Sequence, residues 1–220
     1  IYNGALDNGV AMSQALAVAG AFAELPDRPR RSILVFFPAV EEQGILGSKY
    51  FAGSGVVHPG SMVTDINFEL GNVWGKTSDV IIYGLGKSEL DDWLTAAAAT
   101  QNRTIRGEQD VKAGWCYRSD QISFARIGVP AIWFKSGVDF IGREPGWGEK
   151  QYADWISTKY HSPGDEVDES WVLDGLIEDT QLGFMLAAAV ANVDVTPGWY
   201  PGDEFEATRK AAIADYKGED

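Results

Sequence analysis

The sequence predicts an α/β domain with helices on both faces of a mostly parallel sheet. Short apolar, β-branched runs alternate with Ala-rich segments on a helical period. Gly and Pro mark the changes from one pattern to the other. The residues are 45% hydrophobic and 12% aromatic, enough for one continuous core and too apolar for a disordered chain. At 220 residues a single domain over 1–220 is expected.

The elements follow in order. Ala11 to Leu25 is Ala-rich, apolar on a helical period and stopped by Pro26, so it predicts a helix. Ser32–Val40 is an unbroken apolar run behind Arg30 and Arg31 and predicts a strand buried on both faces. Gly44 to Tyr50 starts a second helix. Met62 to Phe68 and Val80 to Tyr83 predict strands, and Glu89 to Ala99 a helix. Gln121 to Arg126 reads as a short helix closed by Gly128, followed by a strand at Ala131–Phe134. Lys135 to Lys159 holds four glycines, a proline and two tryptophans and predicts a long ordered loop. Trp171 to Val193 and Phe205 to Tyr216 are the last helices expected.

Charge removes several function classes. Eighteen basic against 32 acidic residues give a net charge of -14, which repels phosphate backbones and anionic lipid surfaces. No nucleic-acid partner is expected. The longest apolar runs fall short of the roughly 20 residues of a membrane span. The single cysteine, Cys116, forms no internal disulfide and no paired-thiolate zinc site, and reads as a small core residue. The chain opens at Ile1 with no start methionine or charged lead, as expected of a processed, N-terminally incomplete piece. Gly84–Ser88 carries the glycines and lysine of a phosphate loop without its spacing.

The chemistry concentrates where strands and helices end, which is where α/β domains place their sites. Glu41 and Glu42 follow the run at Ile33–Val40; a random Glu pair is most often solvated, but the context EEQGILGS lets backbone approach closely. Asp7, in GALDNG, is equally suited to cap the first helix or to bind a metal. Glu69 ends a strand-like stretch. His161 is one of two histidines; a lone loop histidine is more often a surface group, yet His is the commonest metal ligand. His58, in a turn, reads as structural. Trp115, Trp147 and Trp155 are candidates to line an apolar side-chain pocket.

Taken in order, GALDNG, EEQGILGS, INFELG, SDQISFARIGVPA and YHSPGDEVD, from Gly4 to Asp168, resemble the motifs of the M28 family of zinc aminopeptidases. The resemblance implies a three-layer zinc-exopeptidase-like fold with a mixed, mostly parallel sheet. It implies one or two zinc ions, a peptide substrate, and an extracellular or periplasmic location. By matching position, Asp7 would bridge metals, and Glu42 and His161 would be ligands of one zinc. Glu69 would be a ligand of the second, and Glu41 the general base. Tyr160 would polarise the scissile carbonyl, and Arg118 would stabilise bound substrate or intermediate. The family's upstream HxD segment is absent, Glu69 replaces an aspartate, and Gln121 replaces a histidine. A sheet lacking its first strands would expose backbone and favour a homo-oligomer. Two other readings stay open: a non-catalytic peptidase-like binding domain, and a glutaminyl-cyclase-like acyltransferase with one zinc.

Overall fold

Four short strands form one mixed sheet in the computed structural model, which describes residues 3–218; residues 1, 2, 219 and 220 lie outside the description. The strands are β1 (Asp65–Asn67), β2 (Asp79–Tyr83), β3 (Thr104–Gly107) and β4 (Ala131–Ser136), in the spatial order β1-β4-β2-β3. β1 runs parallel to β4, and β3 parallel to β2. The central β2–β4 pair is antiparallel, with Val80 opposite Ser136 and Tyr83 opposite Trp133.

The period of two sorts side chains to the two faces. Val80, Ile82, Ile132 and Phe134 point to one face. There they pack with Leu90 and Leu94 of α3 (Leu90–Thr100) and Leu182 and Leu186 of α6 (Asp174–Asn192). Each such apolar side chain contributes about 1.5–3 kcal/mol on burial. Tyr83 and Trp133 occupy the other face, stacked with ring centroids 3.8 Å apart. That face is covered by α5 (Trp147–Thr158), whose Tyr152 ring lies 3.5 Å from the Lys135 ammonium. The result is three layers: helices, sheet, helices. α1 (Ala11–Ala23) packs on α6 through Phe22 and Phe184, at 4.9 Å. α2 (Leu46–Gly53), α4 (Gln121–Arg126) and α7 (Glu206–Lys217) complete the helices and follow the predicted segments within a few residues.

Two expectations are corrected. Ser32–Val40 is extended but joins no ladder, and its apolar groups face solvent, Leu34 at 63% exposure. Among the described residues, no backbone hydrogen bond reaches the stretch from Ser32 to Pro38. Phe36 alone packs inward, on Phe51 and Phe124. An apolar run becomes a buried strand only if neighbours supply both hydrogen-bonding edges, and here none does. The second correction concerns Lys135–Lys159, which carries the end of β4 and all of α5 rather than a continuous loop.

Candidate metal centre

Three separate loops build the site, each held by local backbone chemistry. Asp7 lies in the turn Ala5–Val10 that leads into α1. The buried Asp165 carboxylate accepts the Leu6 and Asp7 N–H groups, one on each oxygen, both at 2.9 Å. The Asp7–Asn8 peptide is cis. Glu41 and Glu42 sit in a turn closed by Gly44 N–H and Ile45 N–H, which donate to the Glu41 carbonyl at 2.9 and 2.7 Å. Gly47 then donates to the Ala39 carbonyl at 3.0 Å, an approach so close that a Cβ at Gly47 would overlap that carbonyl. His161 follows α5, and its ring stacks on Tyr160 at 3.7 Å.

The backbone is strained at this point. Five non-glycine residues adopt positive φ among the described residues: Val40, Ile45, Leu70, Asn102 and His161. Val40 precedes Glu41, Leu70 follows Glu69, and His161 is itself a site residue. Such conformations persist where surroundings over-determine them, often at functional sites.

The loops converge. His161 Nε2 lies 3.2 Å from Asp7 Oδ2 and 2.9 Å from Glu42 Oε2. One ligand atom from each of Asp7, Glu42 and His161 falls within 4.8 Å of the others. Asp7 Oδ2 is sealed from solvent and accepts no hydrogen bond. A buried carboxylate oxygen without a donor is costly, and a cation placed among these three groups would satisfy it. One imidazole nitrogen with two carboxylate oxygens is a donor set for a divalent transition metal, so the residues fit such an ion.

Proton affinities are raised around the cluster. Burial, then the charge of Glu42, pushes the Asp7 carboxyl up to about 6. Burial, followed by Glu42, Asp120 and Asp7, pushes Glu41 up to about 7. The Tyr160 phenol is held above its ordinary value by burial and then by Asp7 and Glu42, so it stays a proton donor. A carboxyl poised near 7 suits a general base working at neutral pH.

The remaining predicted residues are placed differently. Glu69 is buried outside the three-residue cluster, and its two oxygens accept Asn8 Nδ2 and Ser119 Oγ, each at 2.7 Å. Burial raises it to about 8 despite the Ser119 bond. Arg118 is exposed and stacks its guanidinium over Trp115 at 5.2 Å. Gln121, in place of the family histidine, bridges Asn67 and the Cys116 carbonyl. His58 pairs with Asp215 at 3.0 Å, as a turn residue would. Trp147 and Trp155 share a cavity, but Trp115 is not part of it. Two supporting residues, Asp165 and Asn8, were not singled out from sequence. Asp165 lies four residues after His161 in YHSPGDEVD, and Asn8 adjoins Asp7; adjacency to ligands was the available signal.

The chain combines an α/β layer fold with a carboxylate–histidine cluster where three loops converge. Residues 1–185 match the model of peptidase family M28, and the chain belongs to that family. Its fold resembles solved aminopeptidases. A zinc aminopeptidase from Bacillus subtilis has a TM-score of 0.65 at 21% identity, over 88% of this chain and 44% of that one. An aminopeptidase from Aneurinibacillus sp. strain AM-1 has 0.62 at 20%, over 86% and 40%. The LapA aminopeptidase of Legionella pneumophila has 0.61 at 18%, over 86% and 46%. The chain thus spans less than half the length of these structures. No curated protein sequence matches it.

Proposed function

We propose that this domain is a zinc-dependent aminopeptidase, with Asp7, Glu42 and His161 holding the ion. The observation that carries the reading is the convergence of those three ligand atoms on the orphaned Asp7 Oδ2. When bound, zinc supplies Lewis acidity and lowers the pKa of water to about 7. Glu41 takes the proton of the attacking water and passes it to the leaving amine. The Tyr160 hydroxyl donates to the scissile carbonyl oxygen as charge builds there. Arg118 steadies the bound peptide. A second ion would draw on Asp7 and Glu69, and Glu69 would have to exchange its Asn8 and Ser119 partners. One ion per chain is therefore the expected stoichiometry.

The family resemblance favours an extracellular or periplasmic place of work. The exposed apolar stretch at Ile33–Val40 favours self-association. No described helix is long and apolar enough to cross a membrane.

The test is zinc-dependent release of aminoacyl-anilides. Glu41→Gln should lower the rate about 10²–10⁴-fold while retaining zinc. A variant as active as the parent would overturn the base assignment. The kcat/KM of the parent should rise with pH through about 7, because the base works ionised. A folded chain that binds no zinc would instead be a peptidase-like binding domain. Cyclisation of N-terminal Gln peptides without hydrolysis would indicate the acyltransferase.

A further inference from the structure

Lys135 is only 8% exposed, yet its ammonium makes no hydrogen bond or ion pair among the described residues. It rests 3.5 Å from the Tyr152 ring and 5.6 Å from the Tyr83 ring. The two carboxylates whose charge it feels, Glu69 and Asp179, are both committed elsewhere. Glu69 spends its oxygens on Asn8 and Ser119. Asp179 spends its own on Ser136 and Arg103. A buried charge is ordinarily paired, because burying it alone is costly. Burial lowers the proton affinity of this ammonium to about 7, an effect that an anion beside it would offset. The Tyr152 hydroxyl is unspent as well, enclosed and without a partner.

These two donors lie on the sheet face that serves the metal centre. Tyr83, Trp133 and Lys135 share that face, and the Trp133 indole N–H donates to the Glu69 carbonyl at 3.3 Å. From Tyr152 the rings run through Trp155 and Tyr160 to His161, with successive centroids 6.1, 5.4 and 3.7 Å apart. The Tyr152 hydroxyl is sealed from solvent, but the Lys135 Nζ is not. Two donors without an acceptor suit a carboxylate, whose two oxygens accept from both. A basic side chain would meet a like charge there, and an apolar one would leave the ammonium buried and unpaired. We propose that Lys135 sets the substrate class, pairing with the side-chain carboxylate of a peptide's N-terminal Asp or Glu. The proposal rests on the aminopeptidase reading, in which the N-terminal residue is the one seated beside the metal.

The test has two arms, both on the full chain with zinc added. In the first, calorimetry compares L-glutamate with L-glutamine, its neutral isostere. The parent should bind glutamate about 10–100-fold more tightly, the range of a hydrogen bond to a charged group. Lys135→Met, which keeps the length of the side chain and removes its charge, should erase most of that difference. In the second arm, glutamyl-, glutaminyl- and leucyl-anilides are compared by kcat/KM. The glutamyl substrate should lead, and Lys135→Met should cut its ratio to the glutaminyl one by a similar factor. Equal binding of the two amino acids by the parent would overturn the proposal. So would a Lys135→Met variant that is folded by circular dichroism and keeps the parent's ratios. If that variant does not fold, the parent comparison still decides, and Lys135→Arg, which keeps the charge, should retain the preference. Cleavage of the leucyl substrate without any glutamate preference would remove this proposal and leave the aminopeptidase reading standing. Preferential binding of glutamate without cleavage of any anilide would support the carboxylate site and remove the peptidase reading.

Discussion

Asp165 illustrates how much a single buried carboxylate can decide. It makes no hydrogen bond to a candidate ligand side chain, yet both its oxygens are used by the backbone that carries Asp7. Removing an acceptor from a buried donor costs about 1–3 kcal/mol. Asp165→Ala should therefore lower unfolding stability by about 2–3 kcal/mol in urea titrations, and Asp165→Asn by roughly half of that. Loosening the Asp7 turn should also weaken zinc binding about 10–100-fold, as loss of residues that orient metal ligands does. The two readouts separate the roles. If Asp165→Asn binds zinc as tightly as the parent, the residue stabilises the fold without positioning Asp7. The sequence carried Asp7, Glu42 and His161 through their motifs. Asp165 stayed hidden because its partners lie 158 and 159 residues away and are backbone groups, which leave no mark in a side-chain pattern. Glu69 was legible through its motif as well, but its buried setting and its Asn8 and Ser119 partners were not, because they come from distant segments.

Among the elements, α5 and the run before Glu41 were the least legible, for opposite reasons. The breakers of Lys135–Lys159 cluster before Trp147, and the helix begins right after Gly146, which takes φ 84°. A glycine there marks a boundary, whereas composition over the whole window made the segment look like a loop throughout. Ser32–Val40 has every local property of a buried strand, but strand pairing is a property of neighbours. β2 and β4 were legible because their apolar runs do find partners on both sides. The turn after Val40 depends on close backbone approach at Gly47, where a Cβ would meet the Ala39 carbonyl. Gly47→Ala must displace that backbone and with it the Glu41–Glu42 turn. The expected result is a loss of about 1–3 kcal/mol in stability, the usual range for forced overpacking, together with lower zinc occupancy by elemental analysis. Gly53→Ala, where a Cβ meets nothing, should change neither.

For the molecule as a whole, two properties follow from groups that the fold leaves unbalanced. The unpaired backbone of Ile33–Phe37 and the exposed side chains of Ile33, Leu34, Val35 and Phe37 form an open edge, the sort of surface that pairs with another chain. Sedimentation should show concentration-dependent association of this chain, reduced by Leu34→Lys; unchanged association would place the contact elsewhere. The second property is a pH dependence set by buried carboxyls. Asp65 Oδ2 is enclosed and unpartnered, and burial followed by the charge of Asp120 pushes its carboxyl up to about 7. Glu69 is raised to about 8 by burial. A carboxyl whose folded value lies above its unfolded one, near 4, adds stability that is complete below about pH 4. That stability drains away as pH rises through the folded value. Lys135, lowered by burial to about 7, acts in the opposite sense, but only above about 7, since below that it is charged in both states. The window from pH 5 to 7 therefore leaves Lys135 out, and the Asp65 variant reads the contribution of that carboxyl within it. With a chelator present, the melting temperature of the parent should fall across that window. Asp65→Asn, which cannot ionise, should give a shallower fall. Parallel melting curves for the two proteins would mean that Asp65 ionises as freely in the folded chain as in the unfolded one.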